Sequence, residues 1–181
     1  MQAAAPCHQG REPPGCRHRR SQCPLRPDGG TSLIAVDTNI LIYAHRAEFP
    51  HEHSAASATL KDLAEGPSAW AIPVFVIHEF LRVATHPSIL NPPTPLVEAI
   101  AVIDQLLQSR SARLLGPGQQ YWQLLKEVSV EGEARGNLIF DAAIVAICRE
   151  HGVSQILTED RDFERFPGIE ILRLPRISSS S

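Results

Sequence analysis

No run of 18 or more apolar residues occurs in this 181-residue chain, so no segment reads as a membrane-spanning helix. The N-terminus lacks an apolar h-region, and no secretory signal is expected. The glycine signatures G-x-G-x-x-G and the P-loop are missing, which removes the case for a nucleotide cofactor. There is no H-E-x-x-H either, so zinc catalysis is not supported. Cys7, Cys16 and Cys23, with His8 and His18 nearby, stand nine and seven residues apart and give no close C-x-x-C-like pair for a zinc finger. The remaining Cys148 lies in an apolar run and reads as a small buried hydrophobe. Free thiols of this kind fit a cytoplasmic protein.

Positive charge is also scarce where a nucleic-acid binder would carry it. Residues 33–181 hold 12 basic against 18 acidic side chains, a net of −6, whereas residues 1–32 hold five arginines against Glu12 and Asp28, a net of +3. A body that acidic does not attract nucleic acid through bulk charge; any such ligand must be held locally. Length suits one domain, and 43% apolar content is enough to fill its core.

Residues 1–32 have almost no aliphatic side chains and no hydrophobic period. Two expectations attach to them: a disordered arm, or translated sequence upstream of the natural start. Gly29-Gly30 is what a purine-rich ribosome-binding stretch would encode, and Leu33, three codons on, could be an internal reading of a UUG or CUG start. Residues 176–181 read as a flexible tail.

From Leu33 the pattern alternates strand and helix. Strands are predicted at Leu33–Val36, Ala69–Ile72, Arg113–Leu115, Gln155–Leu157 and Ile169–Leu172. Helices are predicted at Thr38–His45, Ser54–Ala64, from Pro73 to just before His86-Pro87, and at Leu96–Gln108, Gln120–Val130 and Asp141–His151, with a glycine-rich loop over Glu131–Asn137 and Gly152 as the last C-cap. Repeated β–α units imply an α/β fold: a short, mainly parallel central sheet covered by helices in three layers. In such folds the functional crevice lies at the carboxyl ends of the strands.

The informative residues are isolated acids in apolar surroundings. Asp37 ends the first strand, Glu79 interrupts the apolar helix 74–81, Asp141 precedes an apolar run, and Asp160 and Asp162 follow the fourth strand. Burying a lone carboxylate is costly, and the usual relief is a cation, a hydrogen-bond network or a metal. Each acid alone has an ordinary explanation. Asp37 can cap a helix, Glu79 can pair with Arg82 one turn on, Asp141 can cap its helix, and Asp160 and Asp162 can serve a turn. A phosphoryl-acceptor role for Asp37 would require an acid two residues on, where Asn39 stands; Asn39 is instead suited to orienting a carboxylate. His45, His78 and His86 flank the same elements and read mainly as structural or solvated. Together, the strand-end placement of four acids points to an all-oxygen site for a hard divalent cation.

Ile34-Ala35-Val36-Asp37-Thr38-Asn39-Ile40-Leu41-Ile42-Tyr43-Ala44 resembles the opening of PIN-domain nucleases, most closely the VapC-type toxins of bacterial toxin–antitoxin pairs. Glu79 matches the second acid of that family, Asp141-Ala142-Ala143-Ile144-Val145-Ala146 the third, and Thr158-Glu159-Asp160-Arg161-Asp162-Phe163 the terminal T-x-D-x-D-F signature. His86-Pro87, Asn91 to Pro95 and Phe163 to Gly168 resemble a subgroup common among actinobacterial toxins. The resemblance covers residues 33–175. It implies a three-layer α/β/α PIN-like fold and Mg²⁺- or Mn²⁺-dependent endoribonuclease activity that leaves a 5′-phosphate and a 3′-hydroxyl. It further implies Asp37, Glu79, Asp141 and Asp160 as catalytic metal-holding acids, with Asp162 as a fifth acid or an alternative to Asp160. Thr38, Asn39 and Thr158 are implied as supporting residues. Implied partners are an RNA substrate, a cognate VapB-type antitoxin bearing an arginine toward the acids, and a second copy in a homodimer; no membrane is implied. The rival readings are a catalytically silent binding module, a metal-dependent phosphatase and a DNA-directed nuclease.

Overall fold

Short all-apolar strands alternate with amphipathic helices in the computed structural model, which describes residues 33–176. Predictions falling on residues 1–32, including the arm, the start site and the cysteine–histidine group, lie outside the described residues, as does the tail from residue 177. The strands are β1 Ile34–Val36, β2 Trp70–Pro73, β3 Ala112–Leu115, β4 Gln155–Leu157 and β5 Glu170–Leu172. The helices are α1 Thr38–His45, α2 Pro50–Glu65, α3 Val74–Ala84, α4 Leu96–Leu107, α5 Tyr121–Glu131 and α6 Leu138–Glu150, and a 3₁₀ turn spans Asp162–Arg165.

All four strand pairings are parallel and the order is β3-β2-β1-β4-β5. The chain therefore builds outward from β1 to β3, then returns through α5 and α6 to start again on the other side of β1. That reversal, between β1 and β4, is where an open parallel sheet forms its crevice. Ile34, Ala35 and Val36 lie in register with Gln155, Ile156 and Leu157. The ladder runs one step further, with Asp37 N donating to Leu157 O at 3.0 Å. Residues just past β1 and β4 are thus side by side by construction.

The core is held by Trp70, Phe80, Phe163, Phe166 and the aliphatic strands. Helix α6 is the most deeply seated element: every residue from Ala142 to Cys148 is buried. Its three alanines let neighbouring elements approach closely, and Cys148 is a free thiol whose pKa burial pushes up to about 12. Helix α2 begins four residues before the predicted Ser54, because Pro50 at its first position has a φ already suited to a helix. Helix α6 begins at Leu138, not Asp141, and its N-cap is Asn137. The capping explanation for Asp141 is therefore corrected: Asp141 sits one turn inside the helix. Gly152 follows α6 with φ +70, the left-handed conformation expected of it.

Candidate active site

Asp37 is the hub. It ends β1, caps α1 through Thr38 N → Oδ1 at 2.7 Å, and is 5% exposed. Its other oxygen, Oδ2, accepts from the Asn39 amide at 2.6 Å and from the Thr158 hydroxyl at 2.6 Å. The capping explanation is realised by one oxygen, and the other is held by Asn39 and Thr158. Burial pushes the Asp37 pKa from 3.8 to about 6. The bonds from Thr158 and Thr38 pull it down, and the charges of Glu79 and Asp160 push it up.

Thr158, fully buried at the end of β4, ties three parts of the chain together. Its Oγ1 donates to Asp37 and accepts from Asn39 Nδ2 at 2.9 Å and from Asp160 N at 2.9 Å. Asn39 in turn accepts from Glu159 N at 3.2 Å, so its amide spans both strand ends. Thr38 donates to Glu79 Oε2 at 2.9 Å, linking α1 to the acid on α3. Thr38, Asn39 and Thr158 thus each donate a hydrogen bond to one of the acids.

Glu79 also meets Arg82 at 3.3 Å, an exposed pair one turn apart. That ion pair forms as the sequence allows, but an exposed pair of this kind is weak. Asp160 accepts from Asp162 N at 2.9 Å, the turn bond expected of an Asp in that position. Asp141, half-buried at the entrance of α6, has its pKa pushed from 3.8 to about 7. Burial is the largest cause, followed by the charges of Asp37, Asp160, Glu79 and Asp162. Asp141 therefore feels all four of the other acids. Glu79, Asp141, Asp160 and Asp162 line a crevice of about 720 Å³, together with Phe75, His78, Arg82, Asn137, Leu138, Phe140 and Ile144. Asp37 is joined to two of these acids by hydrogen bonds, through Thr38, which also donates to Glu79, and through Thr158, which also accepts from Asp160 N.

The donor set is carboxylate oxygen throughout, which fits a hard divalent cation such as Mg²⁺ or Mn²⁺. Among the described residues, no three His, Cys, Asp or Glu side chains already stand in a ligating arrangement. Filling the site would require the side chains to close on the ion.

One residue the motifs did not single out supports the site from behind. Arg173, just beyond β5, donates to the carbonyls of Thr158 at 3.0 Å and Asp160 at 3.2 Å and pairs with Glu164 at 2.7 Å. A lone arginine 13 residues from Asp160 carries no local signal of that work. Of the histidines, His78 lines the crevice, whereas His45 bonds Thr94 at 2.9 Å and His86 accepts from Ser88 N at 3.1 Å.

Comparison with known proteins agrees with this geometry. The PIN-domain family model matches residues 34–169. Ribonuclease VapC43 of Mycobacterium tuberculosis is 34% identical over 134 residues, covering 74% of this chain and 90% of the relative. Ribonuclease VapC31 of the same species is 31% identical, covering 79% and 99%. Among solved structures, VapBC2 of Rickettsia felis bound to a DNA fragment from its promoter aligns with a TM-score of 0.58 at 18% identity, covering 79% of this chain and 99% of that one. VapC20 of M. tuberculosis, a sarcin–ricin-loop-cleaving toxin, aligns at 0.54 and 22%, covering 76% and 98%. At those identities the solved structures speak to the fold.

Proposed function

The chain belongs to the PIN-domain family and, within it, to the VapC ribonucleases, and from that premise we propose that it is a metal-dependent endoribonuclease acting as the toxin of a VapBC-type pair. The observation that carries this reading is that Glu79, Asp141 and Asp160 line one crevice, with Asp37, at the β1/β4 reversal, joined to two of them by the hydrogen bonds of Thr38 and Thr158. Asp37, Glu79, Asp141 and Asp160 would hold Mg²⁺ or Mn²⁺, with Asp162 at the rim as a fifth oxygen donor. The cation, when bound, supplies charge neutralisation at the attacked phosphate and activation of water.

The chain's own residues do the rest. Thr158 and Asn39 fix the orientation of the Asp37 carboxylate. Thr38 holds Glu79 toward the same space. Asp141 brings a carboxylate from α6 to the same crevice. No side-chain nucleophile is needed, because water attacks in line and leaves a 5′-phosphate and a 3′-hydroxyl.

The structural relatives that are VapBC complexes support a VapB-type antitoxin as partner. A groove of about 430 Å³ between α1, α2 and α4, lined by Leu41, Ala44, Leu60, Ala64, Val102 and Leu106, offers apolar surface to a helix of such a protein. The acid crevice suits an arginine reaching from it. A second copy completes the assembly proposed. The test is cleavage of total RNA with Mg²⁺ by the wild-type chain and by Asp37→Asn. Metal-dependent cuts lost in the variant support the reading; equal activity in both overturns the site.

A further inference from the structure

The crevice is lined by aromatic as well as acidic side chains, and the proposed chemistry uses only the acids: Phe140, Phe75 and His78 share it with Glu79, Asp141, Asp160 and Asp162. Phe140 is 63% exposed, on a helix whose residues from Ala142 to Cys148 are all buried. It contributes little to packing, yet it immediately precedes Asp141. Phe75 is half-buried and is braced at its edges by His78, with ring centroids 6.1 Å apart at 70°, and by Tyr121 at 6.1 Å and 40°. The Asn137 amide and the Arg82 guanidinium, 60% exposed, stand on the same rim.

The body is net negative and the crevice holds several acids, so beyond the cation itself little in it attracts a polyanion. Stacking on an aromatic face works without charge and serves any base. A base inside a duplex already has both faces covered, so only an unpaired one can be splayed onto a protein ring.

We propose that Phe140, which shares the crevice with Phe75, is a stacking platform for an unpaired nucleobase adjoining the scissile phosphodiester. This rests on the ribonuclease reading above. Asn137 and His78 sit where they can hydrogen-bond the edge of the stacked base, and Arg82 where it can meet the adjoining phosphate.

The test uses the full chain carrying Asp37→Asn, so that RNA stays intact, and short single-stranded RNAs containing a cleavage site mapped with the wild-type enzyme. Phe140→Ala is compared with Phe140→Trp by fluorescence anisotropy. The alanine variant should bind about tenfold or more weakly and the tryptophan variant at least as well as Phe140, the effect expected of one base on one ring. An abasic nucleotide, moved stepwise along the RNA, should erase the difference at one position beside the cut. A fully paired RNA of the same sequence should bind poorly to both. Equal affinity of the alanine variant, or a loss that no abasic position removes, overturns the platform. So does a change in oligomeric mass on Phe140→Ala, which would make this ring a contact between copies. If the wild-type chain cleaves no RNA, the ribonuclease reading fails with it; if it cleaves and Phe140→Ala binds normally, only the platform fails.

Discussion

The Thr158 hydroxyl donates to Asp37 Oδ2 at 2.6 Å, joining residues 121 positions apart in the chain. Both are buried, and each belongs to a strand on one side of the sheet's order reversal. The bond is what converts two neighbouring strand ends into an oriented carboxylate.

Thr158→Val keeps the shape of the side chain and removes that bond. It leaves Asp37 Oδ2 with Asn39 alone and strands the Asp160 amide, so stability should fall by about 1–3 kcal/mol. The Asp37 pKa should rise further, since the lost bond favoured the charged form. Thr158→Ser should restore most of both. Chemical denaturation and the acid limb of the cleavage–pH profile would show it; a variant with wild-type stability and profile would refute the assignment.

Stability in the absence of divalent metal should decline as pH rises. Asp37 and Asp141 have folded-state pKa values raised from 3.8 to about 6 and about 7, so folding favours their neutral forms. That contribution is fully present below pH 3.8 and is lost as pH climbs through about 6 and about 7. For Asp37 the difference corresponds to roughly 3 kcal/mol. Melting temperatures measured with chelator across this range should fall by pH 8, flatten in Asp37→Asn, and recover on adding Mg²⁺. A flat wild-type curve would contradict the buried-charge argument.

Arg173→Gln should leave the fold intact and impair the site. It removes the guanidinium that holds the Thr158 and Asp160 carbonyls, so the loop carrying Asp160 and Asp162 loses its brace. Cleavage should drop by between about tenfold and a hundredfold, the scale on which misplacement of a reacting group acts. Faster amide exchange should appear at residues 159–162. Unchanged exchange there would place the role of Arg173 elsewhere.

Gly132→Ala should be among the more damaging small substitutions. A Cβ at Gly132 would meet the ring of Phe166, which is fully buried and packed edge-on to Phe163 at 6.3 Å. Displacing a core ring costs about 1–3 kcal/mol. Thermal unfolding would register the loss, and Phe166→Leu in the same chain should recover part of it.

Local patterns were readable where local rules decide. Helix α1 occupies the predicted Thr38–His45, because a strand ending in Asp followed by an apolar turn states its own cap. The parallel order followed from β–α alternation, and the strand-end position of Asp37 and Asp160 from that order. The early start of α6 was not readable: Asn137 caps it without a side-chain hydrogen bond, so Leu138-Ile139-Phe140 gave no boundary signal. Arg173 and Phe140 escaped for a different reason. One acts through carbonyls brought near by sheet pairing, and the other is notable only for being exposed where its neighbours are not.

The reversal of strand order also fixes when the site can exist. Asp37 leaves the ribosome before β2 and β3, but Thr158 and Asp160 follow β4, which is made only after α5 and α6 have crossed back. A nascent chain that has built β1, β2 and β3 presents Asp37 to an unfilled sheet position, with neither the Thr158 hydroxyl nor the Asp160 carboxylate available. Cutting activity is thereby tied to the arrival of β4, a built-in delay between translation of the first acid and assembly of the site.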